Sequence, residues 1–307
     1  MQRWMGFAVS LVVIMGGLTA CGGNNKDNAA SSVPAQSAQA SASSSASASA
    51  EPAAPAEQQG YQDGVYYAEA ADFDADSGWK EVVSLKVDGG KIAAVDWNAL
   101  NKDGGLDKKT YSEKGFYGMK AGGASAEWHE QAAKAEQFLL DSQDPKAISV
   151  KDDGTTDAIS GVSIHVGGFQ GLVEKALAAG PVQAGPYKDG VYYAEAAEFE
   201  ADSGWKDNVT LTVMAGRIAA VSWNSTSKDG GADKVTRSKS GEYDIKKGGG
   251  QAAWHEEAAK AQAYLIEKQD PAAVAVKDDG TTDAISGCTI HVSGFVSLAE
   301  QALASAR

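Results

Sequence analysis

The chain has 307 residues, with 27 Lys and Arg against 41 Asp and Glu, for a formal net charge of −14. That balance argues against nucleic acid as a partner and against a basic membrane-surface patch, since both need clustered positive charge. It suits an exported soluble module and an encounter with a basic partner.

Met1-Gln2-Arg3-Trp4 precedes an apolar run from Met5 to Leu18. The run is short for a membrane span and has the build of a secretory signal, assigned to residues 1–20. It ends in Leu18-Thr19-Ala20-Cys21, which resembles the bacterial lipobox, where the peptidase cuts before a lipid-bearing cysteine. Cys21 is therefore the expected lipid attachment site, and membrane lipid an expected partner. More than one acyl chain at one residue gives stable anchoring. Cys288 is then the one remaining cysteine, which excludes an intramolecular disulfide. Gly22 and Gly23 follow Cys21, and no Asp stands there as an inner-membrane retention signal would have it. The expected location is the cell envelope, lipid-anchored outside the cytoplasmic membrane or in the outer membrane. Residues 21–60, rich in Ser, Ala, Asn, Gln and Pro, have too little apolar content to offset their ordering entropy. They are expected to form a disordered tether with an end-to-end span of about 30–35 Å.

Beyond residue 60 the chain repeats itself. Asp63 matches Asp189, an offset of 189 − 63 = 126, and the same offset pairs Trp79 with Trp205, Trp97 with Trp223, Trp128 with Trp254, His129 with His255 and His165 with His291. This is far longer than a solenoid period of about 20–50 residues and marks a whole-domain duplication. The expected units are 61–180 and 187–307, joined by a short Pro/Gly linker from Gly180 to Pro186.

Within the first unit, Val65-Tyr66-Tyr67-Ala68 reads as a strand. Val82 to Val87 alternates, Asp88-Gly89-Gly90 turns the chain, and Ile92 to Trp97 returns as a second arm. A Gly- and Lys-rich loop follows. Trp128, Ala132, Ala135, Leu139 and Leu140 then fall at helical spacing, predicting a helix over Ser125–Ser142 that Asp144-Pro145 ends. Phe169, Leu172, Val173, Ala176 and Leu177 predict a last helix. Each unit is thus expected to be α+β, an antiparallel sheet plus helices, in two tandem copies.

Each unit ends in a shared string. Asp157-Ala158-Ile159-Ser160-Gly161-Val162-Ser163-Ile164-His165-Val166 recurs as Asp283-Ala284-Ile285-Ser286-Gly287-Cys288-Thr289-Ile290-His291-Val292. It resembles the attachment motif of the FMN-binding domain family, D-x-x-[ST]-G-A-[ST], whose last hydroxyl carries FMN as a phosphoester. The layout of both units is similar to tandem FMN-binding lipoproteins of extracellular electron transfer. The resemblance implies one FMN per unit, Thr289 and Ser163 as acceptors, and electron relay rather than catalysis. It also implies, as a partner, a Mg-dependent FAD:protein FMN transferase that depends on the motif aspartates, Asp157 and Asp283. Gly161 and Gly287 supply a permissive backbone. Ser160 and Ser286 are candidates to cap the following helix or donate to phosphate, and a phosphate just before a helix meets unpaired N–H groups. The family's Ala is replaced by Val162 and Cys288. Cys is close to Ala in size, whereas Val is stiffer, so Thr289 is the preferred acceptor over Ser163. The rival reading is a flavin-free ligand-binding or adhesive surface lipoprotein.

Other features point to less. The tryptophans suit the core, or stacking on a flavin. The four histidines lack a third ligand or a Cys to make a metal or haem site, and His165 and His291 stand near the acceptors. Asp72, Asp74 and Asp76 have calcium-loop spacing, but Ser77 and Val83 occupy positions that need Gly and Glu. No P-loop and no nucleophile–base pair suggests hydrolysis.

Overall fold

A computed structural model describes residues 60–307. The signal segment, Cys21 and the tether up to residue 59 lie outside the described residues. Residues 60–307 fold as mixed α and β, with two three-stranded antiparallel sheets, each accompanied by helices.

The first sheet has the order β1 (Gly64–Glu69), β2 (Trp79–Asp88), β3 (Lys91–Asn101). Val83, Leu85 and Val87 alternate on β2, and all are buried. Gly89 and Gly90 both take positive φ (59° and 76°), the two-residue turn whose twist matches the flanking strands. An extra residue, Ala93, bulges β3 where the register shifts between Lys86 and Val87. The second sheet repeats this as β4 (Gly190–Glu195), β5 (Trp205–Met214) and β6 (Arg217–Ser227).

Helix α2 (Trp128–Ser142) begins three residues after its predicted start, where the Glu130 carboxylate accepts from the Glu127 N–H at 2.7 Å. It ends at Gln143 in the left-handed region, φ 58°. Helix α3 (Gly167–Ala179) packs on β1 and β2, and α2 packs on β3. Their copies are α5 (Trp254–Lys268) and α6 (Ser293–Ala304). The loop expected after each hairpin contains a short helix instead. These are α1 (Lys108–Glu113) and α4 (Lys234–Ser240), capped when Asp107 and Asp233 accept from Thr110 N and Thr236 N, both at 2.8 Å.

Each repeat buries its own core. In the first, Trp97 stacks on Phe169 at 4.8 Å between centroids and meets Trp128 edge-on at 5.2 Å. In the second, Trp223 does the same with Phe295 and Trp254, at 4.9 and 5.2 Å. Such aromatic pairs contribute about 0.5–1.5 kcal/mol beyond their buried area. A third, small cluster joins the repeats. Val82 and Leu100 pair through β2 and β3 on the face turned away from Val83 and Trp97, and they pack with Met214 of β5. The linker binds both sides: Val182 N donates to Val65 O at 2.7 Å, and Gly185 N to Ala215 O at 3.0 Å.

Candidate functional site

The shared motif forms the same turn twice. Gly161 and Gly287 have φ of 73° and 67°, and the next residue's N–H reaches back to Ile159 O or Ile285 O at 3.3 and 3.2 Å. A Cβ on either glycine would stand 2.6 Å from the Lys134 or Lys260 ammonium. Val162 and Cys288 both point into their cores and are equally buried. The expected crowding by Val162 is therefore not seen: the β-branched side chain packs away from the turn. Burial pushes the Cys288 thiol up, and the Glu257 carboxylate adds to this.

Asp157 and Asp283 are largely exposed, each bonded to one lysine, Lys151 or Lys277, at 3.0 Å. Ser160 and Ser286 are exposed on the turn. Neither caps the following helix, as was one expectation. The residue before α3 is Val166, and that before α6 is Val292, several positions further on. The acceptors Ser163 and Thr289 are exposed and lie four residues before those helices, with His165 and His291 between.

The support beneath each acceptor has no counterpart in the motif. Thr289 Oγ1 donates to the Glu257 carboxylate, with oxygens at 2.9 and 3.1 Å, and Ile290 N and Ala252 N donate to it at 3.2 and 3.0 Å. Burial pushes the Glu257 carboxyl up, but these hydrogen bonds outweigh it and hold the group below the usual carboxylate value. In the first repeat the side chain is Gln131, whose oxygen accepts from Ser163 N at 2.7 Å and Ser163 Oγ at 3.2 Å. A comparison of the two repeats reveals the Gln-to-Glu difference, but not its contact with the acceptor, which spans 32 residues.

Thr289 also lines a cavity of about 1060 Å³ in the second repeat. Its wall includes Trp205, Tyr243, Trp254, Asp207, Lys234 and the first residues of α6. The Lys234 ammonium lies 4.6, 5.3 and 5.6 Å from the ring centroids of Trp254, Tyr243 and Trp205. Burial pulls Lys234 below the ordinary lysine value, and Asp207 and Glu200 oppose that. Lys108 repeats the arrangement against Trp128, Tyr117 and Trp79. Trp223 lines the cavity too, and its buried indole N–H has no partner.

These features fit a flavin mononucleotide. The volume lies at the top of the ~300–1,000 Å³ range of small-molecule sites. Aromatic walls, an ammonium, an orphaned donor and an exposed hydroxyl on the rim match the ring, its polar edge and its phosphate. Two other histidines have local roles: His129 Nδ1 and His255 Nδ1 each pair with a serine, Ser112 or Ser238, at 2.9 Å. Among the described residues, no group of three or more His, Cys, Asp and Glu side chains is placed to hold a metal, and no helix is long and apolar enough to cross a membrane.

No protein-family model and no curated protein matches the chain. Two solved structures are similar to part of it. One, a solution structure of a protein from Clostridium thermocellum, is 57% identical over 38% of this chain and 91% of its own, with a TM-score of 0.31. The other, a crystal structure of a protein from Clostridium perfringens, is 27% identical over 39% of this chain and 88% of its own, with a TM-score of 0.32.

Proposed function

We propose that the chain is an exported, lipid-anchored flavoprotein of the FMN-binding type that relays electrons outside the cytoplasm. FMN is held as a phosphoester on Thr289, and less completely on Ser163, with Cys21 carrying the lipid. The observation that carries this reading is the exposed Thr289 hydroxyl on the rim of an aromatic cavity, within the attachment motif. Bound there, FMN would supply reversible electron transfer. The protein's own side chains would do the rest. Trp205, Tyr243 and Trp254 offer surfaces for a flat ring, and Lys234 sets a positive charge beside it. The exposed Asp283 presents the motif to the FAD:protein FMN transferase.

The test is to make the protein with that transferase, FAD and Mg²⁺, denature it, and look for flavin fluorescence on a gel. Thr289→Val is expected to remove most of the signal, and Ser163→Ala less. Protein that stays colourless under these conditions, or flavin released on denaturation, overturns the covalent assignment. In the colourless case the flavin-free surface lipoprotein takes its place.

A further inference from the structure

Resting on the proposed attachment of flavin at Thr289, we infer that Glu257 is the base that takes the Thr289 hydroxyl proton during attachment. Gln131 leaves that role unfilled at Ser163. Glu257 is fully buried and directs both carboxylate oxygens at Thr289 Oγ1, the atom that must lose a proton. Three backbone N–H groups, from Thr289, Ile290 and Ala252, hold the carboxylate in place. It therefore needs no rearrangement to receive the proton. In the first repeat, Gln131 is equally buried and holds the same loop. Its oxygen accepts from Ser163 N, Ser163 Oγ and Ile164 N, and its nitrogen donates to Ala126 O at 3.0 Å. The two side chains thus do the same structural work. They differ in that a carboxylate accepts a proton near neutral pH and an amide does not.

The step balances without any oxidant or reductant. A lone pair of Thr289 Oγ1 attacks the flavin-side phosphorus of FAD presented by the transferase. The Oγ1–P bond forms and the P–O bond of the pyrophosphate breaks. Its electron pair leaves with AMP, and the hydroxyl proton passes to Glu257. Proton uptake also removes the negative charge that would otherwise lie beside the incoming phosphate. Lys260, bonded to Gly287 O at 2.8 Å, sets a positive charge on the other side of the turn. The first repeat has the matching Lys134 at 3.3 Å from Gly161 O but lacks the base.

The experiment uses the full chain with the transferase, FAD and Mg²⁺, and reads initial rates of FMN addition at Thr289 and Ser163 by peptide mass. Glu257→Gln is expected to cut the rate at Thr289 by at least about 100-fold, the low end of general-base effects. The fold should survive, because Gln131 shows that an amide supports this loop. Near-UV circular dichroism checks that. The reciprocal Gln131→Glu is expected to raise the rate at Ser163. A folded Glu257→Gln protein modified at the wild-type rate overturns the inference. If that variant does not fold, Gln131→Glu decides: a gain at Ser163 supports the inference, and no gain overturns it. Wild-type Thr289 that never acquires flavin removes the functional reading, and this inference falls with it. Flavin on both wild type and Glu257→Gln at equal rates removes the inference alone.

Discussion

Glu257 and Gln131 give the two repeats different responses to acid. Hydrogen bonds hold the folded-state carboxyl of Glu257 below its ordinary value of 4.5. A depressed carboxyl contributes stability that is fully present above the unfolded value and is lost as pH falls through the folded one. The second repeat therefore loses support below about pH 4.5, whereas Gln131 does not titrate. Urea unfolding at about pH 7 and about pH 3 checks this. Relative to wild type, Glu257→Gln should gain stability as the pH drops. A difference that is the same at both pH values would mean the carboxyl is not depressed in the folded protein.

Among the elements, the joint between helix and hairpin shows the most specific design. Gln269, the left-handed residue after α5, donates from its amide to Ile218 O at 2.9 Å and accepts from Ile218 N at 2.7 Å. The side chain thus pairs with the start of β6 as a neighbouring strand would. Gln143 does the same with Ile92, accepting at 2.8 Å and donating at 3.0 Å. Ile218 is 1% exposed, so its N–H has no water to turn to. Gln269→Ala leaves two buried backbone groups unpaired and should cost about 2–3 kcal/mol, read from the shift of the urea midpoint. Gln269→Gly relaxes the backbone but loses the same bonds, so it should recover only part of the loss.

These joints also mark where the sequence stops being legible. The β2–β3 and β5–β6 hairpins follow from alternation and a turn signal, and α2 and α5 from apolar spacing, all of which are local. The short helices α1 and α4 carry too few apolar residues for a periodic pattern, and their capping aspartates sit in a loop that reads as Gly- and Lys-rich. The pairing of Gln143 with Ile92 spans 51 residues and the support of Thr289 by Glu257 spans 32. No local pattern encodes either. The motif turn was legible because its residues are consecutive. The cavity wall was not, since Lys234, Tyr243 and Trp254 come together only in the fold.

At the scale of the whole molecule, the junction between repeats bears on how electrons would pass along the chain. The linker is not free: Val182 pairs with β1, and Gly185 bonds to the β5–β6 turn. Val82, Leu100 and Met214 bury a small apolar contact, and Lys239 reaches Asp103 at 2.7 Å. That ion pair is half exposed and contributes at most about 1 kcal/mol, so the apolar contact and the linker bonds do most of the holding. For the proposed relay in series, the consequence is kinetic. Two sites on one short-linked chain face each other at an effective concentration on the order of mM. Separate repeats at about 1 μM would meet about a thousandfold less often. Flavin-loaded full-length protein should therefore pass electrons from a donor to an external acceptor far faster than an equimolar mixture of residues 61–180 and 187–307. Stopped-flow absorbance in the flavin bands reads the rate directly. A mixture that matches the intact chain would mean that each repeat serves the acceptor independently, and the series arrangement would lose its basis.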